Sequence, residues 1–325
     1  MPQEIPFFPQ QEQPPGFQAF GHFPMRKQKL KSSQKLAVVW AHRLSKAERR
    51  LLASRLSNHI RMLNNSTSST SVTNTVQSTV DSEDVKRHAK QADEWWNPSG
   101  TMKLLHTFNL LRVPFIRDGL VPPSTERTLA PLTNKSILDV GCGGGILTEA
   151  LARIGANMTG IDASRELVDV AKQHSVANPK LLNHRPTYYC TTIEEHSEKF
   201  CNHYDAVVAS EIIEHVTDKE LFVKSCIKTL KPGGKIFITT PSRTRLAQIF
   251  IIYLSEYVCG IVPKGTHEYE KFMTPNELTF LLERNNCHVE LIHGIVFNVL
   301  TNKWSFISST DMIFAIQAVK YEAGK

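Results

Sequence analysis

The sequence predicts an α/β fold, a mostly parallel sheet with helices on both faces. Three patterns carry that prediction. From residue 136 to residue 286, short apolar runs alternate with segments of helical periodicity. A glycine cluster, Gly141, Gly143, Gly144 and Gly145, follows the first run directly, and Asp162 closes the second, 21 positions after Gly141.

Taken in order, residues 1–24 contain six prolines and neither Lys nor Arg, a composition that predicts disorder. Met25 to Met62 is basic, nearly free of acids and able to form an amphipathic helix. A nucleic-acid or anionic-membrane contact is one reading; a mitochondrial transit peptide suits the Arg-rich, acid-poor stretch better. The tract NNSTSSTSVTNTVQST then reads as a flexible connection. Residues 1–80 are thus set apart from a single folded domain over 81–325. Segments 83–96 and 103–119 read as helices preceding the sheet. SILDV, NMTGID, PTYYC, YDAVVAS and KIFITT read as strands; LTEALARI, SRELVDVAKQH, DKELFVKSCIKTL and TPNELTFLLERNN read as helices. Thr274, Pro275 and Glu277 form a capping-box start with proline at the first helical position. HVELIHGIVF and MIFAIQAV close the sheet as a pair of strands.

The net charge of +7 is unevenly distributed. Residues 1–80 hold eleven basic and three acidic groups, a net of +8; the other 245 hold 27 basic and 28 acidic, a net of −1. A nucleic-acid-binding face on the folded part is disfavoured. Six scattered cysteines without a C-x-x-C pair fit a reducing compartment, and none has metal-finger spacing.

The glycine turn lets the backbone bend sharply and approach a ligand, and Asp162 is placed to accept hydrogen bonds from ribose hydroxyls. The dinucleotide fingerprint G-x-G-x-x-G fails, because Ile146 stands at its sixth position. G-x-G-x-G instead suits S-adenosylmethionine, which has no pyrophosphate to cradle. The turn alone leaves NAD(P) chemistry open. Cys142, inside the turn, reads as structural.

YDAVVAS at 204–210 and LKPGGKIFITT at 230–240, together with the turn, resemble the blocks of class I S-adenosylmethionine methyltransferases. ADEWWNPSG, LLHTFNLLRVPFIRDGL, ILDVGCGGGILTEAL, VVASEIIEHV and VPKGTHEYEKFMTP extend the likeness over about residues 84–322. They resemble the ubiquinone-biosynthesis O-methyltransferases, mitochondrial in eukaryotes. The resemblance implies a Rossmann-like class I fold and S-adenosylmethionine contacts from Arg112, Gly141, Asp162 and Ser210. Gly143 belongs to the same turn, and Thr192 and Ile193 follow the third strand, where this fold places adenine. The resemblance also implies a divalent metal on Glu211, Glu214 and His215.

Those three residues stand at i, i+3 and i+4, one face of a helical turn. The alternative is that acids near a helix start simply favour its dipole. Magnesium is the expected ion; because it prefers oxygen ligands, the histidine leaves manganese, iron or zinc open as alternatives, and a metal on the acids alone leaves His215 as a general base. The implied substrates are polyprenylated catechols or quinols. The apolar insertion after the fifth strand, 243–262, flanked by Arg243, Arg245 and Lys264, reads either as a helix lying in lipid headgroups at the matrix side of the mitochondrial inner membrane or as a lid. Other proteins of ubiquinone biosynthesis are the implied neighbours. The chain departs from the family at Pro241-Ser242-Arg243, at Phe297-Asn298-Val299 and at Asn97, all of which bear on substrate rather than cofactor. The rival functions are a non-catalytic, lipid-associated subunit of the biosynthetic assembly and an NAD(P)-dependent oxidoreductase.

Overall fold

An eight-stranded sheet organises the protein in the order β3-β2-β1-β4-β5-β8-β6-β7. The structure is a computed structural model that describes residues 77–122, 128–181, 184–258 and 265–322. The expected proline-rich start, the transit peptide within Met25 to Met62 and nearly all of the Ser/Thr tract lie outside the described residues.

Strands β1 (Ser136–Val140), β2 (Asn157–Asp162), β3 (Thr187–Cys190), β4 (Tyr204–Ser210) and β5 (Leu230–Pro241) are mutually parallel. Then β8 (Ile313–Lys320) runs antiparallel between β5 and β6 (Cys287–Asn298), and β7 (Lys303–Ile307) pairs antiparallel with β6 at the edge. The expected closing pair is therefore β6 and β8, joined by a third strand, β7, that the sequence did not reveal.

Both sheet faces are buried, and the strand sequences show why. Leu138, Val207, Ile236 and Ile238 enter one core cluster, while Ile137, Ala206, Val208 and Phe237 enter the other. Successive side chains point to opposite faces, so a strand covered on both sides must be apolar at consecutive positions.

Helix α1 (Ser82–Ala89) precedes α2 (Lys103–Leu120), which packs near α3 (Ile146–Ala152). Next come α4 (Arg165–Ala177), α5 (Ile193–Lys199), α6 (Lys219–Thr229) and α7 (Pro275–Arg284). Side-chain caps fix their starts: Ser164 accepts from Leu167 N, Thr192 from Glu195 N and Asp218 from Leu221 N. The Thr274–Glu277 capping box is present in full, with Pro275 opening the helix. The helix expected over 83–96 ends at Ala89; a single 3-10 turn, Ala92–Glu94, follows, and Trp95 and Trp96 pack on the glycine turn. After β5, a short α segment (Arg245–Ala247) runs into a π-helical stretch (Gln248–Val258). Among the described residues no helix is long and apolar enough to cross a membrane.

The order of strands reverses between β1 and β4: β1 leads to β2 on one side, and β4 to β5 on the other. The crevice at the carboxyl ends of β1 and β4 is the switch point at which open α/β sheets bind ligands. The chain before α1 is tied across that crevice by Thr217 N–H to the Thr79 carbonyl at 2.9 Å, by the Thr79 hydroxyl to Glu194 at 2.8 Å and by Lys271 to Asp81 at 3.0 Å.

One packing detail predicts acid sensitivity. His196 on α5 is buried, its Nε2 lies 2.8 Å from the Tyr204 hydroxyl, and its ring stacks on Phe200. Burial pulls its pKa down to about 4. Between pH 6.5 and 4 the unfolded chain therefore takes up a proton that the folded chain refuses, and stability falls as pH falls through that window. His196→Phe is expected to narrow the difference between urea midpoints at pH 7 and pH 5. An unchanged difference would assign the acid sensitivity elsewhere.

Candidate active site

The glycine turn begins where β1 ends. Gly141 and Cys142 N–H groups both donate to the Ile161 carbonyl, at 2.8 and 3.0 Å, which folds the turn against β2. Gly143 takes φ +53°, and a Cβ there would lie 2.2 Å from Trp95 Cζ2. Glycine is required both by the backbone and by the indole roofing the turn. Trp96 adds a hydrogen bond from its indole N–H to the Gly144 carbonyl at 2.8 Å.

Asp162 performs a first task that its spacing did not reveal. Its Oδ2 accepts from Gly143 N–H at 2.9 Å and its Oδ1 from Ser164 N–H at 2.8 Å, so the carboxylate pins the turn to the start of α4. Each oxygen keeps a lone pair for a ribose hydroxyl. Burial pushes its pKa up, opposed by those amide donors.

Arg112 reaches the crevice from the middle of α2 and is buried. It donates through Nη1 to the Ser210 hydroxyl at 2.9 Å, and through Nη2 to Asn109 Oδ1 at 2.6 Å and the Leu105 carbonyl at 3.1 Å. Its Nε–H has no partner among the described residues. A buried guanidinium with a spare donor is a site for an anion, and a carboxylate suits it. Burial pulls its pKa down to about 10, against the attraction of Glu211 and Asp139, so it remains a cation.

At the end of β4 the sequence expectation needs correction. Glu211 has φ +56°, in the left-handed region, while its N–H continues the ladder to the Thr239 carbonyl at 2.9 Å. A single-turn 3-10 helix, Ile213–His215, follows. No α-helical turn unites the three residues, and their side chains diverge. Glu214 turns inward, where its Oε2 accepts from the Thr240 hydroxyl at 2.9 Å. His215 turns toward α1, its Nδ1 3.0 Å from Asp84 Oδ2. The Glu211 and Glu214 Oε1 atoms, both buried, have no partner among the described residues. Burial raises both carboxyls, Glu214 the more strongly, with Glu211 adding repulsion. The two acids retain oxygens that suit a cation, and His215 stands beside Asp84 and His88, so the three expected ligands do not share one helical face.

A cavity of about 460 Å³ joins these groups. It is within the range of about 300–1,000 Å³ usual for small-ligand sites. Arg112, Gly141, Gly143, Asp162, Ser210, Ile193, Glu211 and His215 all line it; Glu214 does not. Sequence reasoning missed Asp84, His88 and His267 on the same wall. The one available signal was the i, i+4 spacing of Asp84 and His88 within an expected helix. Phe250 and Ile251 from the π-helical stretch and Val296, Phe297 and Trp304 from the edge hairpin add apolar lining.

The switch-point crevice, the G-x-G-x-G turn pinned by Asp162 and the buried Arg112 define a class I S-adenosylmethionine-dependent methyltransferase, and the family of methyltransferase domains matches residues 116–292. The ubiquinone biosynthesis O-methyltransferase, mitochondrial, of Rattus norvegicus is 44% identical over 246 residues, covering 75% of this chain and 71% of the relative. Its Homo sapiens counterpart is 43% identical, covering 76% and 67%. The ubiquinone biosynthesis O-methyltransferase of Pelagibacter ubique is 35% identical, covering 74% and 98%. This chain belongs to the ubiquinone biosynthesis O-methyltransferase family, an enzyme family whose methyl donor is S-adenosylmethionine.

Proposed function

We propose that the protein transfers the methyl group of S-adenosylmethionine to a phenolic oxygen of a polyprenylated catechol or quinol, in mitochondria, on the matrix side of the inner membrane. The observation that carries the substrate reading is one cavity that combines Arg112, Asp162 and Glu211 with a largely apolar lining. Arg112 offers its spare N–H to the methionine carboxylate, Asp162 its remaining lone pairs to the ribose, and Ile193, beside Thr192, an apolar surface to the adenine. This leaves the sulfonium methyl facing Glu211 and the apolar lining.

A phenol, with a pKa of about 10, must lose its proton to become a competent nucleophile. Glu211, a cavity-lining acid whose buried Oε1 has no partner among the described residues, is the group proposed to accept it. The phenolate then displaces the sulfide in line, and no covalent enzyme intermediate is needed. A bound divalent ion would further lower the phenol pKa. Alignment in a largely apolar cavity supplies much of the remaining acceleration.

The polyprenyl tail leaves past Phe250 and Ile251. Ile249, Phe250 and Tyr253 of that segment are exposed, which supports a peripheral contact between 243–262 and lipid. The basic segment from Met25 to Met62 is the proposed mitochondrial address, and other ubiquinone-biosynthesis proteins are the proposed neighbours.

The test compares a catechol carrying a short prenyl tail with the tail-less ring, with and without anionic vesicles. The tailed ring is expected to react faster, and vesicles to help only the tailed ring. Replacing Ile249 and Phe250 with serine is expected to remove the vesicle effect. Equal rates for the two rings would refute the tailed substrate.

A further inference from the structure

The two adjacent tryptophans that follow α1 differ at their indole N–H groups. Trp96 donates to the Gly144 carbonyl at 2.8 Å. Trp95 is only 6% exposed, yet its Nε1–H has no hydrogen-bond partner among the described residues. Its indole lies along the glycine turn: a Cβ at Gly144 would stand 2.3 Å from Trp95 Cδ1 and 2.8 Å from Nε1. Trp95 also lines the cavity. Four residues earlier, Gln91 lines the same cavity, and its Oε1 is buried and likewise without a partner among the described residues. Buried polar atoms are nearly always paired, so an orphaned donor and an orphaned acceptor on one cavity point to a ligand that carries their complements.

The surroundings hold both residues in place. A single 3-10 turn, Ala92–Glu94, separates them, with Gln91 at its start and Trp95 at its end. The Trp95 carbonyl lies 3.0 Å from His106 Nε2 on α2. The Trp95 ring belongs to a cluster with Met102, Ile146 and Leu167, and Leu105 packs against it. Arg112 is tied to the same cluster. Its Nη2 donates to the Leu105 carbonyl and to Asn109, and the Asn109 amide donates to the Ile146 carbonyl at 2.9 Å. One interlinked group of residues therefore presents two unpaired donors to the cavity, Trp95 Nε1–H and Arg112 Nε–H, with one unpaired acceptor, Gln91 Oε1. The other unpaired acceptors on the cavity, Glu194 Oε2 and Glu211 Oε1, follow β3 and β4 instead. The amino-acid end of S-adenosylmethionine has the matching chemistry. Its carboxylate has two oxygens that only accept, and its ammonium only donates.

We propose that Trp95 and Gln91 hold the amino-acid end of S-adenosylmethionine: Trp95 Nε1–H donates to the carboxylate alongside Arg112 Nε–H, and Gln91 Oε1 accepts from the ammonium. Arg112 supplies the charge, and the neutral pair supplies direction. Trp95 is then both the roof of the glycine turn and a cofactor-binding residue. The inference rests on the S-adenosylmethionine site and is independent of the methyl acceptor.

The test measures binding to the full-length protein, by calorimetric titration and competition, of S-adenosylhomocysteine, which has the same amino-acid end, and of its decarboxylated and deaminated analogues. Trp95→Phe keeps a ring over the turn and removes the N–H; Gln91→Met keeps the length and removes the acceptor. Trp95→Phe is expected to weaken S-adenosylhomocysteine and the deaminated analogue about tenfold, the usual worth of one hydrogen bond, and to leave the decarboxylated analogue unchanged. Gln91→Met is expected to weaken S-adenosylhomocysteine and the decarboxylated analogue about tenfold and to leave the deaminated one unchanged. The unchanged ligand shows in each case that the variant has folded, and a merely structural loss would weaken all three alike. The proposal is overturned if either variant binds S-adenosylhomocysteine as tightly as the wild type, or if its losses do not follow the group that each analogue lacks. No methyl acceptor takes part, so failure of this clamp and failure of the proposed substrate are separate results.

Discussion

Arg112→Met is expected to weaken S-adenosylmethionine binding about a hundredfold, close to 3 kcal/mol, the upper range for hydrogen bonds to a charged group. The loss has two sources. The spare Nε–H and the positive charge that suit the methionine carboxylate disappear. The Ser210 hydroxyl, which Arg112 Nη1 now holds at 2.9 Å and which contacts Thr239 Oγ1 at 2.7 Å, also loses its donor. Removing the cation has a further consequence at Asp139, whose buried carboxyl is already raised to about 6 with Arg112 opposing the rise. Without Arg112 its pKa climbs further. A buried acid with a raised pKa costs stability as pH increases above its unfolded value, so the variant is expected to be destabilised most at alkaline pH. Arg112→Lys keeps the charge but not the planar fork, and is expected to restore stability more than affinity. Calorimetric titration and urea denaturation at pH 6 and 8 separate the two effects. Unchanged affinity in Arg112→Met would remove the guanidinium from the cofactor site.

Glu211→Gln is expected to lower methyl transfer between about 10²- and 10⁴-fold, the usual contribution of a positioned base, with S-adenosylmethionine affinity changed little. Its backbone permits a sharper test. Residue 211 adopts φ +56°, a conformation that costs a side-chain-bearing residue about 1 kcal/mol and glycine almost nothing. Glu211→Gly is therefore expected to be as inactive as Glu211→Gln yet the more thermally stable of the two. That outcome would mean that the carboxylate is retained against the preference of the backbone. Comparable activity in the wild type and Glu211→Gln would exclude Glu211 as the proton acceptor.

The parallel sheet was legible because strands covered on both faces are apolar at consecutive positions, as in Ala206–Ala209 of YDAVVAS and Ile236–Ile238 of KIFITT. The capping box at Thr274 was legible because its signal is local. Strand β7 was not, since Lys303 and Ser305 are exposed and the run is only five residues long. Helix α5, IEEHSEK, carries too few apolar residues to show a stripe, although Glu194 and His196 are in fact buried.

The site divides in the same way. The glycine turn and Asp162 follow from one strand–turn–strand unit and can be read from spacing. Arg112 sits on a helix whose sequence gives no sign that an arginine is its buried face, and only resemblance to the family singled it out. The i, i+3, i+4 spacing of Glu211, Glu214 and His215 pointed to one helical face only by assuming a helix at once after β4. The ladder instead continues through Glu211 N–H, and the chain must bend before the 3-10 turn. Asp84 and His88 meet His215 across more than a hundred residues, a proximity that periodicity cannot carry.

The most direct test of the account is methyl transfer from methyl-labelled S-adenosylmethionine to a short-tailed prenyl catechol, with the product's methyl position read by mass spectrometry and NMR. Label is expected on a ring hydroxyl oxygen, with one equivalent of S-adenosylhomocysteine per product, and both are expected to form about 10²- to 10⁴-fold more slowly with Glu211→Gln. Label on ring carbon, or no product from protein that binds both S-adenosylmethionine and the catechol, would contradict the account.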